Sequence, residues 1–280
     1  MKYNRLGKRT LGITAHLLLA VCGFYYMYPF LWMLSGSLKT KGEFFGRGLS
    51  LIPQQLVWKN YVEAWQGTHF DVYFKNSIFV SVVTTLIIIL FTSMAGYSLA
   101  RYQFPGKRLI LGSILITMFL PRGFTIIPIF ALITNLGLLN TLWAVILVNA
   151  AKSMVFNTFL FLAYFTTLPK ELEDAAQIDG ANFPITYLFI AMPLALPMIG
   201  TVALLEFIDN WNSFFIPLVF TLGRPDLRTV PVGMYAFVGQ NSINWTLLSA
   251  AASMSLLPTL IVFFLLQRFF VQGMVGVIRG

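Results

Sequence analysis

Glu171-Leu172-Glu173-Asp174-Ala175-Ala176-Gln177-Ile178-Asp179-Gly180 lies between two apolar stretches, Leu139–Phe165 and Ile185–Phe207. Each flank exceeds the roughly 20 residues that cross a bilayer as a helix. The segment itself holds four carboxylates and two adjacent alanines, and it ends on a glycine. Pro169 suits a first helical turn, where its missing N–H costs nothing. Glu171, Glu173 and Asp174 then fall near the positive end of the helix, each favourable by about 0.3 kcal/mol or more. Leu172, Ala175 or Ala176, and Asp179 share one side at helical spacing, and Gly180 can supply the turn that stops the helix. Paired alanines let a partner's backbone or groove approach closely, and the carboxylates accept hydrogen bonds from arginine or backbone donors. An exposed helix of this kind, hung between two spans, offers itself to a soluble partner.

The rest of the chain agrees with a membrane setting. Of 280 residues, 58% are hydrophobic and 10% charged, with a mean hydropathy of +0.77. A soluble domain carries about a quarter charged residues. Six segments are long and apolar enough to span: Leu11–Leu34, Val72–Leu99, Leu109–Ile133, Leu139–Phe165, Ile185–Phe207 and Leu247–Phe270. Lipid leaves the backbone to satisfy its own hydrogen bonds, so runs of this length are helices. Pro121, Pro128, Pro197 and Pro258 fall inside these runs and predict bends. The expected fold is an all-α, polytopic transmembrane helical bundle of six spans.

Short basic segments set the orientation. Lys2, Arg5, Lys8 and Arg9 precede the first span, and Arg101, Lys107 and Arg108 crowd the turn after the second. The positive-inside rule places both in the cytoplasm, with Arg268 and Arg279 on the same side after an even number of crossings. The loop after the first span mixes Lys39, Lys41, Arg47 and Lys59 with Glu43, Glu63 and Asp71 and is less densely basic. Leu168–Pro184 is then cytoplasmic and Asp209–Trp245 largely external. The stretch Leu11–Leu34 is too long for a signal-peptide core and reads as a retained span. The segments are 1–10 cytoplasmic, 11–34 first span, 35–71 external loop, 72–270 transport core with its loop at about 168–184, and 271–280 cytoplasmic tail.

Several chemistries find no support. The net charge of +9 forms no basic face with interleaved aromatics, so nucleic acid is not an expected partner. Cys22 is the single cysteine, and His16 and His69 stand far apart, so no metal site or catalytic pair is expected. No glycine-rich phosphate loop followed by lysine occurs. The chain is expected to bind no cofactor and to perform no chemical step itself.

The acidic segment also has a spacing. Asp174-Ala175-Ala176, three residues, Gly180, nine residues, Ile190, one residue, then Met192-Pro193 resembles the signature of the binding-protein-dependent permeases of ATP-binding-cassette importers. That family's pattern has Glu where Asp174 stands and Leu where Met192 stands; charge or bulk is kept at both, and the neighbouring Glu173 can share the acidic role. Other stretches look like the carbohydrate-importer branch: Lys39-Thr40, Glu43-Phe44-Phe45, Asn60-Tyr61, Asn76-Ser77, Met94–Arg101, Phe104–Lys107, Leu136–Leu138, Ile178–Ala181, Trp211-Asn212 and Pro217-Leu218. The ending Gln267–Gly273 with Gly276 and Gly280 is similar to the maltose-type subunit of that branch, and the resemblance runs from about Ser35 onward.

The resemblance implies a type I importer permease in a bacterial or archaeal inner membrane. It implies a second homologous permease, a cytoplasmic ATPase dimer that holds ATP and Mg, an extracytoplasmic solute-binding protein and a sugar substrate. The loop would be the coupling helix, with Glu171, Glu173, Asp174, Ala175, Ala176, Asp179, Gly180 and Pro193 at the ATPase. Polar groups inside spans are expensive and invite a functional reading. Asn149, Lys152, Asn157, Glu206, Asn210, Trp211 and Asn212 form a candidate sugar path, the alternatives being helix-to-helix bonding for the polar groups, including a Lys152–Glu206 pair, and an interfacial anchor for Trp211. Arg122, beside Pro121, belongs to the same class of intramembrane charge. A polyol or glycerol phosphate substrate, or a secondary ion-coupled transporter, are the alternative functions.

Overall fold

The computed structural model describes residues 3–46, 50–67, 69–119, 125–238 and 243–278. Lys2, Arg47, Pro121, Arg122, Arg279 and Gly280 lie outside the described residues. Among those described, the regular elements are helices, apart from an isolated bridge between Val238 and Ile243. In order they are α1 (Tyr3–Gly36), α2 (Lys41–Gly46), α3 (Lys59–Gly67), α4 (Phe70–Arg101), α5 (Lys107–Thr117), α6 (Ile126–Asn135) and α7 (Leu142–Thr167). Then follow α8 (Glu171–Ile178), α9 (Phe183–Thr186), a π turn (Tyr187–Ala191), α10 (Met192–Leu194), α11 (Leu196–Trp211), α12 (Phe215–Phe220), α13 (Val230–Met234) and α14 (Trp245–Ile278).

Four helices are continuous, long and apolar enough to cross a membrane: Gly12–Gly36, Phe70–Arg101, Leu142–Thr167 and Trp245–Phe270. They answer the first, second, fourth and sixth expected spans. The fifth is broken, because Phe183–Leu194 and Leu196–Trp211 meet at 73°. Pro193 and Pro197 bracket that break, and each removes a backbone donor from the helical ladder. The third expected span, Leu109–Ile133, is not one helix either. α5 ends at Thr117 and α6 begins at Ile126, with 120–124 outside the described residues. Pro121 and Gly123 in the intervening sequence are the residue types that most often punctuate helices. The described helices thus supply four crossings, or five with the bent pair, rather than the expected six.

The chain forms two compact units, Met1–Phe70 with Met234–Leu256, and Asp71–Gly233 with Leu257–Gly280. In the first, the membrane-length window of α1 has none of its residues buried. The loop after it is knotted by residues that the sequence singled out. Asn60 Nδ2 donates to the Ser37 carbonyl at 2.8 Å and to the Lys39 carbonyl at 2.9 Å, while the buried Lys39 ammonium donates to the Ser50 carbonyl. Thr40 Oγ1 accepts from the Glu43 N–H at 3.2 Å at the start of α2, and Phe44 packs against Trp32 and Trp245. Asn60→Leu would leave two buried carbonyls without that donor. The expected cost is about 1–3 kcal/mol, read as a lower thermal midpoint in detergent; an unchanged midpoint would mean that the loop is held by other contacts.

In the second unit α4 packs along α7. Gly96 makes this possible: a Cβ built there would stand 2.6 Å from Phe161 Cβ and 2.8 Å from the Leu162 nitrogen. One core gathers Ile88, Tyr97, Phe161, Phe165, Tyr187 and Val202, all buried. A second gathers Val80, Ile133, Val145, Ile146 and Phe220. The first core packs α4, α7 and α11 together, and the second packs α4 and α7 with α6 and α12.

Candidate functional site

The acidic loop begins where α7 stops. Leu168 leaves the helix with φ −74° and ψ 139°, the extended conformation that a following proline imposes. Helix α8 starts at Glu171 with Lys170 as its cap, two residues later than Pro169 suggested, and the Lys170 carbonyl accepts from the N–H groups of Glu173 and Asp174 at 2.9 and 3.0 Å. Its far end behaves as the glycine predicted. Gly180 has φ +86°, its N–H donates to Gln177 O at 3.0 Å, and the Ala181 N–H donates to Ala176 O at 2.9 Å. This pair of bonds is a Schellman closure.

The two faces of α8 divide the expected coupling residues. Glu171, Asp174, Ala175 and Asp179 are exposed, together with Leu172 at 45% and Ile178 at 87% exposure. Glu173 and Ala176, three residues apart, turn the other way and are buried in this chain. Glu173 is therefore not an outward acid sharing the role of Asp174, because its carboxylate is taken by Arg101. Arg101 Nε donates to Glu173 Oε1 at 2.7 Å and Nη2 donates to the Leu168 carbonyl at 2.8 Å. Ala176 does not present the smooth outer surface; Ala175 does. Pro193 is exposed but belongs to α10 beside the bend, outside α8.

The intramembrane polar residues also separate. Asn149, Ser153 and Asn157 recur every four residues on α7, Glu206 and Asn210 stand one turn apart on α11, and Asn157 meets Glu206 between the two helices. Asn157 Nδ2 donates to Glu206 Oε1 at 2.6 Å and to the Ser153 carbonyl at 2.9 Å. Asn210 Nδ2 donates to the Glu206 carbonyl at 2.7 Å. All five residues are buried, and the Asn157–Glu206 bond joins α7 to α11, so in this chain they do not wall an open path. Trp211 is likewise buried, stacked on Phe207 at 5.9 Å and edge-on to Phe74 at 5.3 Å.

The expected Lys152–Glu206 pair does not form. The antiparallel register that sets Asn157 opposite Glu206 puts Lys152 opposite Asp209, and their charged atoms lie 3.0 Å apart. This pair is partly exposed, with side-chain exposures of 33% and 54%, and it borders a cavity of about 890 Å³. Asn212 shares the rim, and Ile129, Ile133, Val148 and Phe156 make much of the wall apolar. Of the seven candidate path residues, Lys152 and Asn212 are the ones that line this cavity. An exposed ion pair is worth about 0–1 kcal/mol, so a ligand can displace it cheaply. From the sequence Arg101 has no site role, only a part in the orienting basic cluster and in the stretch Met94–Arg101; its place at the end of a span, near an acidic loop, is the available signal.

Comparison with known proteins identifies the family. Residues 88–276 match the family described as binding-protein-dependent transport system inner membrane component. The chain is 34% identical over 255 residues to the probable ABC transporter permease protein YurM of Bacillus subtilis, covering 90% of this chain and 84% of that one. It is also 34% identical to the trehalose/maltose transport system permease protein MalG of Thermococcus litoralis, covering 98% of each. A chain from the crystal structure of a bacterial ABC transporter involved in the import of the acidic polysaccharide alginate superposes with a TM-score of 0.82 at 25% identity, over 94% of this chain and 97% of that one. The loop, the bent fifth span and most of the transmembrane helices fall within the matched residues, and the chain belongs to the family of binding-protein-dependent transport system inner membrane components.

Proposed function

We propose that this permease subunit serves an ATP-driven importer of oligosaccharides, and that α8 is its contact with a cytoplasmic ATPase. The observation that carries the proposal is the outer face of α8. It combines acids at Glu171, Asp174 and Asp179 with exposed apolar groups at Leu172, Ala175 and Ile178, between two membrane-length elements. Exposed apolar groups beside fixed charge suit a protein partner better than water. The ATPase dimer, bearing ATP and Mg, a second permease and a solute-binding protein complete the complex. Both termini and α8 lie in the cytoplasm, in the reading that the basic residues support.

Sugar as substrate draws support from what the similar proteins are described as carrying: trehalose or maltose for the Thermococcus litoralis relative and alginate for the solved transporter. The cavity beside Lys152, Asp209 and Asn212 offers hydrogen-bonding groups against apolar walls, which suits hydroxylated rings. A polyol or glycerol phosphate is the second reading: a phosphate can take Lys152 from its exposed pairing with Asp209 at the same rim.

The test is uptake by the full complex in vesicles. Transport should collapse when ATP is exhausted and persist when an uncoupler dissipates ion gradients; the reverse result would assign a secondary transporter. Competition by neutral oligosaccharides, against glycerol phosphate and polyols, separates the two substrate readings. A reporter fused after Gly280 should be active only in its cytoplasmic form and one near Ser242 only in its external form.

A further inference from the structure

Besides the short linker 168–170 from α7, two routes join the acidic helix to the transmembrane helices, one along the chain and one across it. The covalent route onward from α8 is interrupted. It passes through the left-handed Gly180, the π turn Tyr187–Ala191 and the 73° break before α11. Glycine turns and π turns are where helical segments bend, so no continuous helix carries α8 into α11.

The other route is not covalent. α4 is an unbroken helix of 32 residues, and its last residue is Arg101. Through one guanidinium Arg101 binds the carbonyl of Leu168, where α7 ends, and the carboxylate of Glu173 on the inner face of α8. The two side chains are 5% and 11% exposed, so water competes little for the pair. The end of α4 also holds the loop's far side. Tyr102 meets Phe183 at 5.4 Å, Tyr97 meets Tyr187 at 5.4 Å, and the hydroxyls of Ser93 and Tyr187 lie 2.8 Å apart. The loop is thus gripped on both flanks by a helix that is remote from it in sequence.

We propose that Arg101 is a positioning residue that makes α4 move with α8, so that force from the ATPase reaches the membrane through α4 and α7 rather than along the chain into α11. The proposal rests on the reading of α8 as the ATPase contact. It assigns to the Arg101–Glu173 pair a role in coupling rather than in binding the ATPase, since neither side chain is on the outer face.

The experiment uses the complete transporter in proteoliposomes and reads solute taken up per ATP hydrolysed. Arg101→Gln should leave ATPase co-purification intact and lower this ratio by about tenfold, within the usual range of coupling between sites. The charge exchange Arg101→Glu with Glu173→Arg should recover part of the ratio, because it restores the pair though not the bond to Leu168. A purely structural pair would change yield or thermal midpoint while the ratio stayed constant, and that outcome overturns the proposal. If Arg101→Gln prevents assembly, Glu173→Leu is read in its place; it keeps the bulk but offers Arg101 no acceptor, and an unchanged ratio there overturns the proposal equally. Should the unsubstituted complex show no ATP-dependent uptake, the ATPase reading itself falls, an outcome separate from failure of the Arg101 variants alone.

Discussion

The Ala175→Trp variant should insert normally, lose its co-purifying ATPase and take up no solute above background. Ala175 sits on the exposed face of α8 between Leu172 and Ile178, where a docked partner would close around it. Overpacking of a close contact costs about 1–3 kcal/mol, and each 1.4 kcal/mol is about tenfold in affinity. Ile178→Asp should act in the same direction by placing a charge in the contact. Gly180→Val probes a different cause. A Cβ at Gly180 meets nothing within 4 Å, so the whole effect is the strain of a β-branched residue at φ +86°. Such strain is about 1–3 kcal/mol, and it would unwind the end of α8 without touching its outer face. Ala176→Trp is no test of docking, because Ala176 is buried in this chain and a clash there reports on folding. A merely solvated loop would tolerate Ala175→Trp and Ile178→Asp within about 0.5 kcal/mol, and full uptake in both would sink the docking role.

The sequence made some of this plain and hid the rest for physical reasons. Four spans could be drawn from hydropathy because each is an unbroken apolar helix, and bending at Pro197 followed from its lost donor. Hydropathy carries no angle, however, so a single apolar run at Ile185–Phe207 could not announce a 73° break. It is equally blind to a run divided into α5 and α6. Gly180 was legible because its role is local: a helix end needs a left-handed residue, and glycine adopts that conformation without strain. The partners of Glu173, Lys152 and Glu206 were not legible, since each is set by a helix distant in the chain. Grouping the acids of α8 by charge also obscured their faces. Glu173 and Ala176 are three residues apart, a spacing that puts them on one side of a helix and away from Asp174.

Gly96→Leu should damage the transport core more than any substitution on its surface. The residue lies near the start of the run Met94–Arg101, between Ala95 and Tyr97, where nothing in the sequence sets it apart. The structure gives the glycine a definite task, because α4 and α7 approach so closely that a Cβ would overlap Phe161 Cβ and the Leu162 backbone. The obstacle includes main chain, which cannot swing aside as a flexible side-chain tip does. The two helices would have to separate along the same stretch that buries Tyr97, Phe161 and Phe165. In membranes, small residues at such crossings supply close packing that the solvent does not drive, so the loss is not offset by burying more apolar surface. The expected destabilisation reaches about 3 kcal/mol or more, seen as a sharply lower thermal midpoint in detergent and little assembled complex. Gly96→Ala, which adds the same Cβ and nothing further, should fall between the two. Wild-type midpoints for both variants would show that α4 and α7 are held apart, and the tight α4–α7 contact would then be wrong.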